Sequence, residues 1–259
     1  MRPVHQLVHA RTRVRPRYAL MPLEGFPVSR LPHWQDNDVR VLASPALGAQ
    51  FVQYLIDLKS VGYFAADERI ETFYYVLAGA GTVQDGQSRP VQLKGGSFGL
   101  FPPGCKCEFA GESLRMLILR KRYEAYDRFA IGKGVVQERA PLFAPLHGHE
   151  SDVKREPWAD NPHSLLQTLI PDEFQYDLAM NLFTFSPGYG LPIVETHVME
   201  HGLYFLQGKG VYYLEDEWME VEQDDFIWMG PYCPQSFYAT GPTPSRYLYY
   251  KNVNREIPL

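Results

Sequence analysis

The feature that most constrains this chain is that it repeats itself. The segment ETFYYVLAGAGTVQDG (71–86) lines up with EHGLYFLQGKGVYYLE (200–215) at an offset of 129 residues. Gly79 then meets Gly208 and Gly81 meets Gly210; at the same offset Gly95 meets Asp224 and Phe101 meets Gly230. One repetition predicts two copies of a unit of roughly 100 residues, each burying its own core. Both copies have the texture of short strands between turns. FVQYLIDL (51–58), TFYYVLAG (72–79), FGLFPPG (98–104) and LRMLILRKRY (114–123) mix β-branched, aromatic and aliphatic residues between Gly or Pro signals. DLAMNLFTFSPG (177–188), HGLYFLQGKGVYYL (201–214), DFIWMGPY (225–232) and RYLYYKNV (246–253) repeat that texture. Six or more strands per unit with Gly-Pro turns predict an all-β chain of two tandem jelly-roll barrels. The expected division is a first barrel over 1–124, a connection over 125–175 and a second barrel over 176–259. The connection, rich in Pro, His and charge, is read with a helical turn near Ser164–Leu169.

Composition narrows the class. Aromatic residues make up 14% of the chain, which favours strands over helical bundles. A net charge of −5 offers no basic face for polyphosphate, so nucleic acid is not an expected partner. Three cysteines, Cys105, Cys107 and Cys233, are too few and too odd a number for a secreted disulfide framework. They suit a reducing cytoplasm. No apolar run approaches the ~18 residues of a membrane span. Arg2, Arg11, Arg13, Arg15 and Arg17 precede the first acidic residue, Glu24. They are read as a basic arm on the fold rather than an organellar transit peptide, because they lack Ser and run straight into the strand-like YALMPL.

The chemically distinctive segment is GLPIVETHVMEH (190–201). Glu195 and His197 are two apart, so on a strand they face one side, and His201 follows four residues later. This resembles the first cupin motif, whose His-x-His, Glu and Gly positions carry metal ligands. Here Glu195 stands in the first His position and His201 in the Glu position, a permuted set of one carboxylate and two imidazoles. The second motif, a Pro turn before a last ligand, reads GPYCPQ (230–235), with Gln235 where a His is usual. Such a hard mixed N/O set suits Mn²⁺, Fe²⁺ or Ni²⁺; the share of oxygen donors favours manganese. Cys233 is read as a packed thiol rather than a ligand. The first copy lacks the set. Thr72 aligns with His201, Lys106 aligns with Gln235, and AADER (65–69) holds no His. A rival cluster, His147, His149, Glu150 and Asp152, falls in the connection and is read as solvated, with no strand to hold it. In the last strand Tyr247, Tyr249 and Lys251 share one face; on spacing alone Lys251 is either a barrel-facing Lys, which calls for an anion, or a surface Lys on an edge strand.

The stretch ETHVMEHGLYFLQGKGVYYL, the GPYCPQ turn and the ending YYKNVNREIPL closely resemble the (S)-ureidoglycine aminohydrolase family. So do VLASPALGAQFVQYLIDL, IETFYYVLAGAG and LRKRY in the first half. The resemblance covers nearly the whole chain and is poorest in the central connection. It implies a bicupin enzyme of purine (allantoin) degradation that uses Mn²⁺ to release ammonia from (S)-2-ureidoglycine. It implies metal ligands at Glu195, His197, His201 and Gln235, and substrate contacts at Tyr212, Tyr247, Lys251 and Glu195. Catalysis is expected from Glu195 and Lys251. Another metal-dependent cupin enzyme, a dioxygenase or isomerase, and a non-catalytic small-molecule-binding cupin are the competing readings. A homo-oligomer in the cytoplasm, acting on a small molecule and touching neither nucleic acid nor membrane, completes the expectation.

Overall fold

The computed structural model describes residues 11–86, 89–125, 127–128, 138–139 and 143–255. Arg2 of the expected basic arm and the last four residues, 256–259, lie outside the described residues. Within them the chain is almost entirely strand and turn. One large sheet runs, in order of pairing, through Leu146–His149, Ser97–Phe101, Ile70–Gln84, Cys107–Arg122, Phe51–Leu58 and Asp38–Ala43. Val61–Phe64 and Val91–Lys94 pair onto it and close the first barrel. The second barrel combines two sheets. The larger runs Arg13–Arg15, Tyr18–Met21, Phe226–Met229, His201–Gln207, Ser245–Asn252, Leu178–Phe185, Asn161–Thr168 and Glu156–Trp158. The smaller is Glu217–Glu222, Lys209–Leu214 and Gln235–Ala239. The fold is thus the expected pair of jelly-roll barrels. Among the described residues no helix is long and apolar enough to cross a membrane.

The strands where the two barrels face each other are buried on both faces, and their period of two explains how. Along Ser245–Asn252, Tyr247 joins the core inside the second barrel while Leu248 and Tyr250 join the core between the barrels. Along His201–Gln207, Leu203 and Phe205 point inward while Tyr204 points to the other barrel. The first barrel does the same, with Ile118 inside and Leu117 and Leu119 between. Each fully buried Leu, Ile or Phe stabilises by about 1.5–3 kcal/mol, so the shared layer ties the barrels into one body. Buried polar groups cross that layer as well. Lys121 is paired with Asp177, and its ammonium is 3.5 Å from Glu71. Glu200 accepts the Gln50 N–H at 3.1 Å and the Trp228 indole N–H at 3.3 Å.

The repeat is visible in backbone conformation. Gly79 and Gly208, aligned in the sequence, take φ of 86° and 84°, where a side chain is strained. Past the first turn the register slips by one. Gly96 donates to the Val76 carbonyl and Asp224 to the Phe205 carbonyl, so Gly96, rather than Gly95, is the partner of Asp224.

Strand pairing departs from the sequence division in three places. Tyr18–Met21 lies in the first half of the chain, yet it pairs with Phe226–Met229 of the second barrel. Leu146–His149 lies in the expected connection, yet it pairs with Ser97–Phe101 of the first barrel. The second barrel's sheet therefore ends on the hairpin Arg13–Met21 from the first half, and the first barrel's sheet ends on Leu146–His149 from the expected connection. The expected helical turn near Ser164–Leu169 is instead the strand Asn161–Thr168, whose residues Ser164, Leu165 and Leu166 pair with Phe185, Thr184 and Phe183. Ladder pairing to an apolar neighbour overrides the weak local helical signal.

Candidate active site

A cavity of about 400 Å³ opens into the second barrel, and Glu195, His197, His201, Tyr212, Gln235, Tyr247 and Lys251 all line it. Each is placed by a strand end or a turn. His201 is the first residue of His201–Gln207 and stands opposite Lys251 across the ladder. Gln235 is the first residue of Gln235–Ala239 and forms an isolated bridge with Glu195. The Glu195 N–H donates to the Gln235 carbonyl at 2.8 Å and the Gln235 N–H returns to the Glu195 carbonyl at 2.9 Å. Residues exchanging both bonds direct their side chains to one face. His197 is anchored by its carbonyl, which accepts the Tyr232 N–H at 2.7 Å from the Gly-Pro turn.

Three side chains converge. The Nε2 atoms of His197 and His201 are 3.2 Å apart, and the Gln235 amide lies 3.0 Å from His197 Nε2. His201 Nδ1 is 2.9 Å from the Tyr250 carbonyl, which accepts only a protonated Nδ1. That bond sets the tautomer and leaves Nε2 as a lone pair facing the cavity. The Tyr212 hydroxyl reaches the Gln235 amide at 3.3 Å. Turning that amide by half a rotation exchanges its oxygen and nitrogen and directs the oxygen at the imidazoles. Two imidazole nitrogens and an amide about 3 Å apart match neighbouring donors around one ion bound at ~2.1 Å. The residues therefore fit a divalent metal, and Glu195 lines the same cavity. Glu195 does not itself close the cluster: among the described residues no three His, Cys, Asp or Glu side chains gather as a metal set.

Burial dominates the electrostatics. It pushes the His201 imidazole down to about 3, with the neighbouring His197 adding to the effect, so His201 is neutral. It lowers His197 too, and the His197 Nδ1 is buried without a partner. Burial raises the Glu195 carboxyl above its ordinary range, and the Lys251 ammonium works in the opposite direction. Tyr212 and Tyr247 are raised far above normal by burial, so both are neutral hydroxyls. Burial raises the Cys233 thiol to about 11, consistent with the packed role read from the sequence.

The cavity also takes Tyr249 and Trp158, which the sequence reading did not assign to it. Tyr249 was accessible to the period-two argument that selected Tyr247 and Lys251. Trp158 sits in the stretch read as connection, and nothing local marks it as a wall of the second barrel.

The first barrel shows what replaces the site. Phe64 pairs with Cys107 as Glu195 pairs with Gln235, so Cys107, rather than Lys106, takes the place of Gln235. Thr72 stands opposite Arg120 as His201 stands opposite Lys251. Arg120 donates to the Thr72 hydroxyl at 3.3 Å and lies 4.4 Å over the Phe64 ring, so a fixed cation sits where the second barrel has room for an ion. The rival histidine cluster is not a solvated linker. His147 Nδ1 bonds the Tyr74 hydroxyl at 2.8 Å, and His149 bonds Ser151 and the Gly95 carbonyl at 2.8 and 2.9 Å. Those imidazoles are held by the edge strand Leu146–His149, which the Pro-rich sequence around it concealed.

Comparison with known proteins gives the chain its relatives. A family model described as a cupin domain matches residues 181–250. The (S)-ureidoglycine aminohydrolase of Escherichia coli (strain K12) is 30% identical over 249 residues, spanning 93% of this chain and 90% of that protein. The Arabidopsis thaliana protein of the same name is 31% identical over 247 residues, spanning 92% of this chain and 76% of its own. The crystal structure of protein Ylba from E. coli superposes with a TM-score of 0.82 at 28% identity, with 100% of each chain covered.

Proposed function

Because the chain belongs to the (S)-ureidoglycine aminohydrolase family, and so is a hydrolase acting on C–N bonds, we propose that its second barrel converts (S)-2-ureidoglycine and water to (S)-ureidoglycolate and ammonia. The observation that carries this reading is the convergence of His197, His201 and Gln235 in a cavity that also holds Glu195, Lys251 and two buried tyrosines. In this reading Glu195, His197, His201 and Gln235 hold Mn²⁺. The bound ion supplies positive charge that anchors the heteroatoms of the substrate.

The chain's own residues supply the rest. The substrate carbon bears a carboxylate, a ureido group and an amine. Lys251 offers an ammonium to the carboxylate or a proton to the departing ammonia. The Glu195 carboxylate, raised by burial, guides the proton of the incoming water. Tyr212 and Tyr247 are kept neutral and donate hydrogen bonds to the polar ends of the substrate. Phe183, Leu203 and Met229 form apolar walls that limit the water reaching the reacting carbon. The three free thiols support a cytoplasmic setting, and the exposed Trp218 and Tyr238 support a homo-oligomer.

The test is metal analysis combined with ammonia release from freshly generated (S)-ureidoglycine, with the uncatalysed background measured alongside. Stoichiometric manganese and ammonia release that persists without oxygen are expected. Ammonia at the background rate from fully loaded protein overturns the reading, and a strict need for oxygen replaces it with an oxygenase.

A further inference from the structure

Lys251 carries its ammonium on a flexible four-carbon stem, and among the described residues no hydrogen bond or ion pair holds that ammonium. Its place in the cavity is therefore set from its backbone. That backbone is fastened on both sides. Before Lys251, the Tyr250 carbonyl accepts from His201 Nδ1 at 2.9 Å. After it, the Asn252 side-chain oxygen accepts the Glu200 N–H at 2.8 Å. His201 and Lys251 are paired across the ladder, and Glu200 and Asn252 are the next residues along. Two side-chain bonds thus brace one ladder step, one on each side of Lys251.

The second of these bonds leads out of the second barrel. The Glu200 carboxylate accepts the Gln50 N–H and the Trp228 indole N–H. Gln50 immediately precedes Phe51–Leu58 of the first barrel. The residue whose N–H Asn252 holds is therefore itself tied to the other barrel. The first barrel uses the equivalent positions differently. Glu71 and Glu200 are 129 apart, and Glu71 stands opposite Lys121. Lys121 thus holds the position of Asn252, and it reaches across to Asp177 instead. In the barrel that carries Lys251 the same position holds a short amide turned back onto its own ladder.

We propose that Asn252 is a positioning residue for Lys251, holding it at the substrate through the Glu200 N–H and, beyond that, through the first barrel. The proposal rests on the reading of Lys251 as a group that acts on the substrate. Asn252 does not line the cavity and touches no substrate there. It bears on the rate because a shift of ~1 Å in a catalytic group can cost about 10²-fold.

Asn252→Ala, Lys251→Met and the double variant, all loaded with manganese, test this by ammonia release. Manganese content, melting temperature and hydrogen exchange are measured on the same preparations. Asn252→Ala is expected to lose at least about tenfold in kcat with manganese content unchanged. Its Glu200 N–H is expected to exchange at least about tenfold faster. The double variant is expected to match Lys251→Met, because a residue that acts through another adds nothing once the other is gone. Asn252→Asp keeps an oxygen for the Glu200 N–H and is expected to recover most of the loss. Losses that multiply in the double variant make Asn252 a structural residue and overturn the proposal. So does a wild-type rate in Asn252→Ala beside a slow Lys251→Met, or wild-type exchange at Glu200 in Asn252→Ala. Background ammonia release from the unaltered protein, or full turnover in Lys251→Met, overturns the functional reading and this proposal with it.

Discussion

His201 stands directly opposite Lys251 in the ladder between His201–Gln207 and Ser245–Asn252. Opposed residues of an antiparallel pair project to the same face, so the imidazole and the ammonium enter the cavity side by side. Lys251→Met keeps the aliphatic stem and removes only the charge. It is expected to retain manganese and to lose about 10²–10⁴-fold in turnover. Metal analysis and kcat for ammonia release on one preparation check this, and an unchanged kcat removes Lys251 from the reaction.

His201→Ala removes a converging nitrogen and leaves the Tyr250 carbonyl without its donor. Metal and activity are expected to disappear together, with manganese retention after dialysis at least tenfold lower. Retention of full manganese and full turnover excludes His201 from the site.

The depressed His201 sets a pH dependence for the metal-free protein. The unfolded chain binds the His201 proton below 6.5, while the folded chain resists it until about 3. Between those values the unfolded state holds more protons, so stability falls as pH falls. Melting temperatures of metal-free protein are expected to decline from pH 6.5 downward, and His201→Gln is expected to flatten that decline. Identical slopes for both proteins contradict it.

Gly202, on the outer face of the same strand, lies against the first barrel. A Cβ there would sit 2.5 Å from the Gln53 amide oxygen and 2.6 Å from the Phe51 ring. Gly202→Ala is expected to cost about 1–3 kcal/mol by overpacking the layer between the barrels. Urea unfolding measures it; a change below about 0.5 kcal/mol shows that Phe51 and Gln53 move aside without cost.

Deleting residues 1–21 removes two paired strands of the first half, Arg13–Arg15 and Tyr18–Met21, but damages the second barrel, because Tyr18–Met21 covers Phe226–Met229. The truncated protein is expected to lose manganese binding while the first-barrel sheet keeps all its strands. Hydrogen exchange resolves the two. Loss of protection confined to 38–122 contradicts the pairing.

Much of this was legible from the residues. Alternation along RYLYYKNV sorts Tyr247 from Leu248 and Tyr250, because a strand buried on both faces still alternates between two different interiors. Glycines at 79 and 208 marked corresponding left-handed turns. The distant strand pairings were not legible. Pairing between Tyr18–Met21 and Phe226–Met229 spans about two hundred residues, and a short strand carries no local sign of so distant a partner. The one-residue slip was hidden for a related reason. Asp224, with φ of 69°, adopts the turn that Gly96 adopts, so matching glycine to glycine misplaces everything after it.

The distant strand pairings also bear on how the two halves can diverge. Thr72, Phe64 and Cys107 have taken the positions of His201, Glu195 and Gln235 without disturbing the second barrel. The first barrel is nonetheless tied to the second, since it holds the Leu146–His149 strand and the chain that feeds Tyr18–Met21 across. A cavity confined to one barrel therefore depends for its walls on the integrity of both halves of the chain.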